Sequence, residues 1–307
     1  MNICNIETDI SDHCNLKCAN CSHHSPYVTK GFYEIEQFKN DIDKASDYLS
    51  CNWFKLLGGE PLLNTHIFDY VNHLHVSEIC KNIAIFTNGI LLNKVSAELL
   101  TSVDCVVVSR YPGNETYTKL VKDNIEYARE HTRVIHNYYD KFEAQEFTNK
   151  NTDQDLIKKI FDRCKLRYEC NAIYKGYFYK CMACQRKKDF LRANNLDSKD
   201  VTDPGVDGVK IDSPNFHEKL IKYYYSDTPL NACAYCTGSS GKDVPHVNKL
   251  TKPAEKIQEV VDMNKLNTPA IHETDDIKYL MTPITGKRRN IVRKFKDNDG
   301  LEHDIVL

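Results

Sequence analysis

Along the first half of the chain, apolar positions alternate between two periods. Residues 4–10 (CNIETDI) read as a strand leading straight into a polar loop, after which Phe38, Ile42, Ala45 and Leu49 recur at the spacing of one helix face. NWFKLLG (52–58), NIAIFT (82–87), DCVVVS (104–109) and RVIHN (133–137) predict further strands, with helices over His66–His75, Leu92–Leu100 and Thr116–His131 between them. Strands without polar alternation, separated by helices, predict a parallel sheet covered on both faces. Five such units suit an open sheet or part of a barrel.

The alternation stops near residue 150. Beyond it the pattern predicts a helix (Asp153–Asp162), a hairpin NAIYK-G-YFYK (171–180), a polar stretch with Asp203-Pro204-Gly205, a helix around 216–225, and the pair Cys233/Cys236. The expected organisation is a core over 1–150, a small cysteine-pinned domain over 151–245 and a polar C-terminal extension over 246–307. In that extension GKRRNIVRKFK (286–296) carries six basic residues and reads as a solvated tail or a dock for an anionic substrate or partner. The chain shows no internal repeat and no low-complexity tract.

At 307 residues the chain can bury a large core, and its net charge of −2 gives no global field for nucleic acid or anionic membrane. MNICNIETDIS lacks a basic segment followed by an apolar one, and no stretch approaches the roughly 20 apolar residues that span a bilayer, so a cytoplasmic protein is expected. The 13 cysteines change the picture: an odd number, clustered at 14–21, 164–184 and 233–236, favours metal or cluster ligation over a disulfide framework. Cys4, Cys51, Cys80 and Cys105 lie in apolar settings and read as small buried side chains.

In SDHCNLKCANCSHHSP (11–26), Cys14, Cys18 and Cys21 fall within eight residues. A structural zinc site closes with four ligands, whereas three protein ligands leave a position open. A cubane [4Fe–4S] cluster held by three thiolates likewise keeps one iron free. On spacing alone, zinc completed by His13, His23 or His24 is the alternative. Gly58-Gly59-Glu60-Pro61, Thr87-Asn88-Gly89 and Ser109 each follow a strand, and open parallel sheets bind ligands outside the carboxyl ends of their strands. Two glycines allow close backbone approach, and the carboxylate suits a cationic group such as an ammonium. GGE alone is a weak signal; four polar loops on one edge are a stronger one.

This combination over residues 1–140, CxxxCxxC with GGEP after the second strand, resembles the radical S-adenosylmethionine (SAM) enzymes. The resemblance implies an α/β fold, a partial (β/α)6 TIM-type barrel, in which Cys14, Cys18 and Cys21 ligate a [4Fe–4S] cluster whose open iron takes the amino and carboxylate groups of SAM. It implies that Gly58, Gly59 and Glu60 receive the SAM amino group and that Asn88 and Ser109 lie near the ribose. It further implies reductive cleavage of SAM to a 5′-deoxyadenosyl radical, abstraction of a substrate hydrogen, and a reducing partner such as flavodoxin or ferredoxin. One departure is Asn20, where the family usually has an aromatic residue before the third cysteine.

Cys164, Gly176 and Cys181 fit C-x(9–15)-G-x4-C, and Cys233-x2-Cys236 follows. This resembles the twitch domain, a shortened SPASM domain holding an auxiliary [4Fe–4S] cluster. Six cysteines compete for four places. Cys164, Cys181, Cys233 and Cys236 are favoured, with Cys170 as first replacement and Cys184 behind it; a zinc ribbon is the structural alternative.

From the short lead before the cysteine loop, no peptide-recognition domain of the kind usual in peptide-modifying relatives is expected. Twitch-containing relatives include enzymes acting on aminocyclitols and sugars, and CAYCTG resembles radical SAM proteins of glycan or capsule biosynthesis. The expected substrate is therefore a small sugar- or cyclitol-like molecule, undergoing oxidation, epimerisation or deoxygenation. Tyr138, Tyr139, Tyr174, Tyr177 and Tyr179 are candidates to line its pocket or to pack the small domain, and an unligated Cys184 is a candidate hydrogen-atom donor. A peptide-modifying enzyme and a zinc-binding adaptor are the other classes.

Overall fold

The computed structural model describes residues 1–196 and 198–268, together with the backbone of two further strands, Val292–Lys296 and Glu302–Val306. Five strands run parallel: β1 (Asn2–Ser11), β2 (Ser50–Gly58), β3 (Cys80–Thr87), β4 (Cys105–Arg110) and β5 (Val134–Tyr138). Helices α1 (Ile35–Ser46), α2 (Ile67–Ser77), α3 (Ala97–Thr101) and α4 (Glu115–Arg129) link them. In register, Ile6 lies beside Phe54, Phe54 beside Ile83, Ile85 beside Val106 and Val106 beside Val134, so buried apolar side chains form rows across the sheet.

The helix expected over Leu92–Leu100 is broken. A 3₁₀ turn covers Leu92–Lys94, and α3 begins only after Ser96, whose hydroxyl accepts from the Leu99 amide at 3.2 Å.

After a short strand β6 (Lys141–Glu143) come α5 (Gln154–Arg163), α6 (Leu166–Glu169), the hairpin β7 (Ala172–Tyr174) and β8 (Tyr177–Tyr179), α7 (Met182–Ala193), α8 (Pro204–Asp207), β9 (Gly208–Lys210), α9 (Phe216–Tyr225) and β10 (Asp243–Pro245). Lys175 and Gly176, at φ 43° and 87°, form the two-residue hairpin turn, a backbone path that favours glycine. β7 pairs parallel with β1 through Glu7 and Ala172, and β8 and β9 add antiparallel strands, giving one eight-stranded sheet of order β5-β4-β3-β2-β1-β7-β8-β9. The result is a mainly parallel α/β sheet consistent with a partial TIM-type barrel.

The segment 151–245 therefore extends the sheet of residues 1–150, and one apolar core runs from Ile3 to Tyr235 through both. Three-residue strands cannot bury a face by themselves, so they complete a larger sheet. A second, smaller core gathers Ala144, Phe147, Ile160, Ile257, Val260, Val261 and Leu266 beneath β6 and β10, which pair antiparallel. Of the basic stretch 286–296, residues 286–291 lie outside the described residues and 292–296 pair with 302–306. Among the described residues, no helix is long and apolar enough to cross a membrane.

Candidate functional site

The carboxyl ends of β1, β2, β3 and β4 open onto one cavity of ≈ 450 Å³, lined by Cys14, Cys18, Cys21, Gly58, Gly59, Asn88 and Ser109. Burial, reinforced by Glu60 and Cys21 at Cys14 and by Cys21 and Cys14 at Cys18, pushes both the Cys14 and Cys18 thiols up to about 12. Cys21 is raised chiefly by burial too. Thiols this close in a buried loop become thiolates together only beside a cationic centre, and that is the donor chemistry of a cluster or metal site.

Local contacts shape this loop. Leu16 donates its amide to Cys14 Sγ at 3.4 Å, and Asn88 Nδ2 donates to Asn15 Oδ1 at 2.6 Å and to Cys14 Sγ at 3.7 Å. Asn20 sits at φ 55°, in the left-handed region that asparagine tolerates better than a bulky aromatic residue does.

The GGEP loop is drawn against the cysteine loop. Gly59 and Glu60 donate their amides to Ser11 O at 2.8 Å and His13 O at 2.9 Å. A Cβ on Gly58 would stand 2.2 Å from Ser11 O, and one on Gly59 would stand 2.2 Å from the His13 carbonyl. The glycines line the cavity, but the close approach that demands them is loop to loop.

Glu60 is fully buried behind that wall. Its carboxylate accepts from Thr87 Oγ1 at 2.7 Å, the Asn88 amide at 2.9 Å and the Leu62 amide at 3.1 Å. The structure thus makes Glu60 a brace between the GGEP and TNG loops, with its oxygens committed to protein donors. Ser109 hydrogen-bonds Tyr111, which lines the same cavity.

The three loop histidines do not close the thiol set. His13 Nδ1 faces Gly31 O at 3.3 Å, His23 Nδ1 pairs with Asp9 at 3.0 Å, and His24 Nε2 pairs with Glu146. Among the described residues, no three His, Cys, Asp or Glu side chains gather as ligands of a single ion. Thiolates of a cubane each bind a different iron and need no such convergence.

Residues 8–143 match the family model of the Radical SAM superfamily. The chain carries a radical SAM domain. Over 94 residues it is 35% identical to the antilisterial bacteriocin subtilosin biosynthesis protein AlbA of Bacillus subtilis (strain 168), covering 30% of this chain and 20% of that protein. Over 120 residues it is 35% identical to the probable GTP 3',8-cyclase of Methanococcus maripaludis (strain C5), covering 38% of this chain and 40% of that protein. The chain thus spans well under half the length of these curated relatives. Among solved structures it is similar to BtrN in complex with AdoMet and 2-DOIA, at 16% identity and TM-score 0.43, covering 78% of this chain and 94% of that one.

Beyond the radical SAM domain, Cys164, Cys181, Cys184, Cys233 and Cys236 line a small apolar cavity. Burial raises Cys181 most, and Cys164, Cys236 and Cys233 raise it further, so these four thiols face one another. Cys184 Sγ donates to Cys181 O at 2.8 Å. Cys170, counted among the expected ligands, does not line that cavity; its thiol hydrogen-bonds the buried Glu7 carboxyl of β1, and Cys181 is among its charge neighbours. Of the expected pocket tyrosines, Tyr139 lines the radical SAM cavity, whereas Tyr174 and Tyr179 line a separate one with Cys184.

Sequence reasoning missed the buried charges on α7. Arg186 contacts Asp12 at 2.5 Å and Asp9 at 3.3 Å, while Lys187 pairs with Glu146 at 2.7 Å and donates to Tyr235 O at 3.3 Å. Two cations on the face marked by Met182, Ala183, Phe190 and Leu191 were the available signal. His246, on a distant segment, was missed as well, and its Nε2 lies 3.1 Å from Cys18 Sγ.

Proposed function

We propose that this chain is a radical SAM enzyme that abstracts a hydrogen from a small sugar- or cyclitol-like substrate and oxidises, epimerises or deoxygenates it. The observation that carries the reading is the single cavity onto which Cys14, Cys18, Cys21, Gly58, Gly59, Asn88 and Ser109 all open. Cys14, Cys18 and Cys21 hold the [4Fe–4S] cluster. When bound, the cluster and SAM supply one-electron cleavage of the sulfonium and the hydrogen abstraction. The chain's own residues bind, orient and exclude water. The Gly58-Gly59 backbone receives the SAM amino group, Glu60 fixes that loop against Thr87 and Asn88, and Ser109 and Tyr111 line the same cavity.

The same cavity is also lined by Tyr139, Lys141, Glu143, Gln145 and Lys165, an aromatic and hydrogen-bonding set suited to a polyhydroxylated molecule. Cys164, Cys181, Cys233 and Cys236 hold an auxiliary [4Fe–4S] cluster. Such a cluster, if all its irons were bound by these four cysteines, would supply a one-electron acceptor for oxidation of the substrate. A flavodoxin or ferredoxin supplies the first electron.

The test is anaerobic reconstitution of the wild type and of Cys14→Ala/Cys18→Ala/Cys21→Ala, followed by SAM and dithionite. About eight irons per chain falling to about four, with 5′-deoxyadenosine formed only by the wild type, is expected. Zinc in place of iron and no deoxyadenosine would sink the proposal.

A further inference from the structure

The segment after β10 lies across the cysteine loop. The Ala19 amide donates to Val247 O at 2.9 Å, the Lys17 amide donates to Asn248 Oδ1 at 2.7 Å, and between them His246 Nε2 stands 3.1 Å from Cys18 Sγ. Three consecutive residues of the strap thus each hold one point of the loop that carries the three thiols.

His246 is itself held in place. It is 8% exposed, and its amide donates to Asp140 O at 2.8 Å. Its ring stacks on Tyr111 at 4.5 Å and 9°, and Phe142 meets it edge-on at 4.9 Å. The pairing of β10 with β6, Pro245 opposite Lys141 and Val244 opposite Phe142, delivers the strap to this place. A ring fixed on two aromatic faces and by its own backbone presents its nitrogen to the sulfur at little entropic cost.

We infer that His246 is a positioning residue for the SAM-binding cluster, donating its Nε2–H to the Cys18 sulfur and so tuning the cluster's reduction potential. The inference rests on the reading that Cys14, Cys18 and Cys21 hold a [4Fe–4S] cluster. An iron-bound thiolate has no proton to give, so in this contact the imidazole is the donor. Hydrogen bonds to cluster sulfurs stabilise the more negative, reduced state and raise the potential. Because the same ring packs on Tyr111, it also joins the cluster loop to the SAM-cavity wall.

The test compares the full chain with His246→Phe, which keeps the ring packing and removes the donor, and His246→Gln, which restores an N–H. Each is reconstituted anaerobically, its iron is counted, and the paramagnetic signal that responds to added SAM is titrated against potential. In the Phe variant, wild-type iron with that signal moved to a more negative potential is expected, and the Gln variant moves back toward the wild type. Iron retained by Gln and lost by Phe also supports a donor role.

An unshifted potential in the Phe variant overturns the inference. Loss of iron from the SAM-responsive site in both variants overturns it too, by making His246 a ligand or a packing residue. A wild-type chain that binds iron at the second cysteine group alone, with no SAM-responsive signal, overturns the cluster assignment itself and the inference with it.

Discussion

Glu60 receives three donors, Leu62 N, Thr87 Oγ1 and Asn88 N, yet burial pushes its carboxyl up to about 7 from an ordinary 4.5, more than those hydrogen bonds bring it down. Folding therefore favours the protonated form. The stability this contributes is fully present below about pH 4.5 and lost as pH rises through about 7, a change on the order of 3 kcal/mol. The unfolding free energy of the wild type minus that of Glu60→Gln is expected to fall across this range in urea denaturation at a series of pH values. A difference that stays flat would mean that the three donors keep the carboxylate ionised throughout. The GGEP motif was legible as sequence; the direction in which its carboxylate points was not, because that depends on donors 27 and 28 residues away.

At the scale of elements, a charged joint ties α7 and the β7–β8 hairpin to the loop after β1. Asp12 accepts from Arg186 at 2.5 Å, Tyr174 Oη at 2.5 Å and Lys175 Nζ at 3.0 Å, and Arg186 also reaches Asp9. Burial works to raise the Asp12 carboxyl, and Arg186, Tyr174 and Lys175 together hold it below its usual range. Arg186→Met leaves two buried carboxylates without their common cation, so a loss of about 3–5 kcal/mol in chemical denaturation is expected, with Arg186→Lys losing less. A loss below about 1 kcal/mol for the Met variant would mean that Lys175 and Tyr174 suffice. The types and order of β1–β5, α1, α2 and α4 were readable from apolar periods, because the strands carry buried apolar side chains across the sheet and these helices bury one face. The break before α3 was not, since the capping serine interrupts a pattern whose apolar spacing runs on.

For the molecule as a whole, the two cysteine groups make separate demands on one fold. Cys181→Ser is expected to lower iron from about eight to about four per chain while the SAM-responsive signal remains, whereas Cys170→Ser keeps about eight. Iron loss in the Cys170 variant equal to that in the Cys181 variant would place Cys170 among the ligands, against the contact its thiol makes with Glu7. By itself the sequence determined the parallel βα alternation, the cysteine, GGEP and TNG loops at one sheet edge, and the grouping of the remaining cysteines. Those are local or periodic features, written in adjacent residues. Only the tertiary structure decided that β7–β9 continue the first sheet, that the Cys170 thiol meets Glu7 of β1, and that His246 reaches Cys18 across 228 residues of chain. Each of these depends on a contact between distant segments, which hydrophobic period and local spacing do not encode.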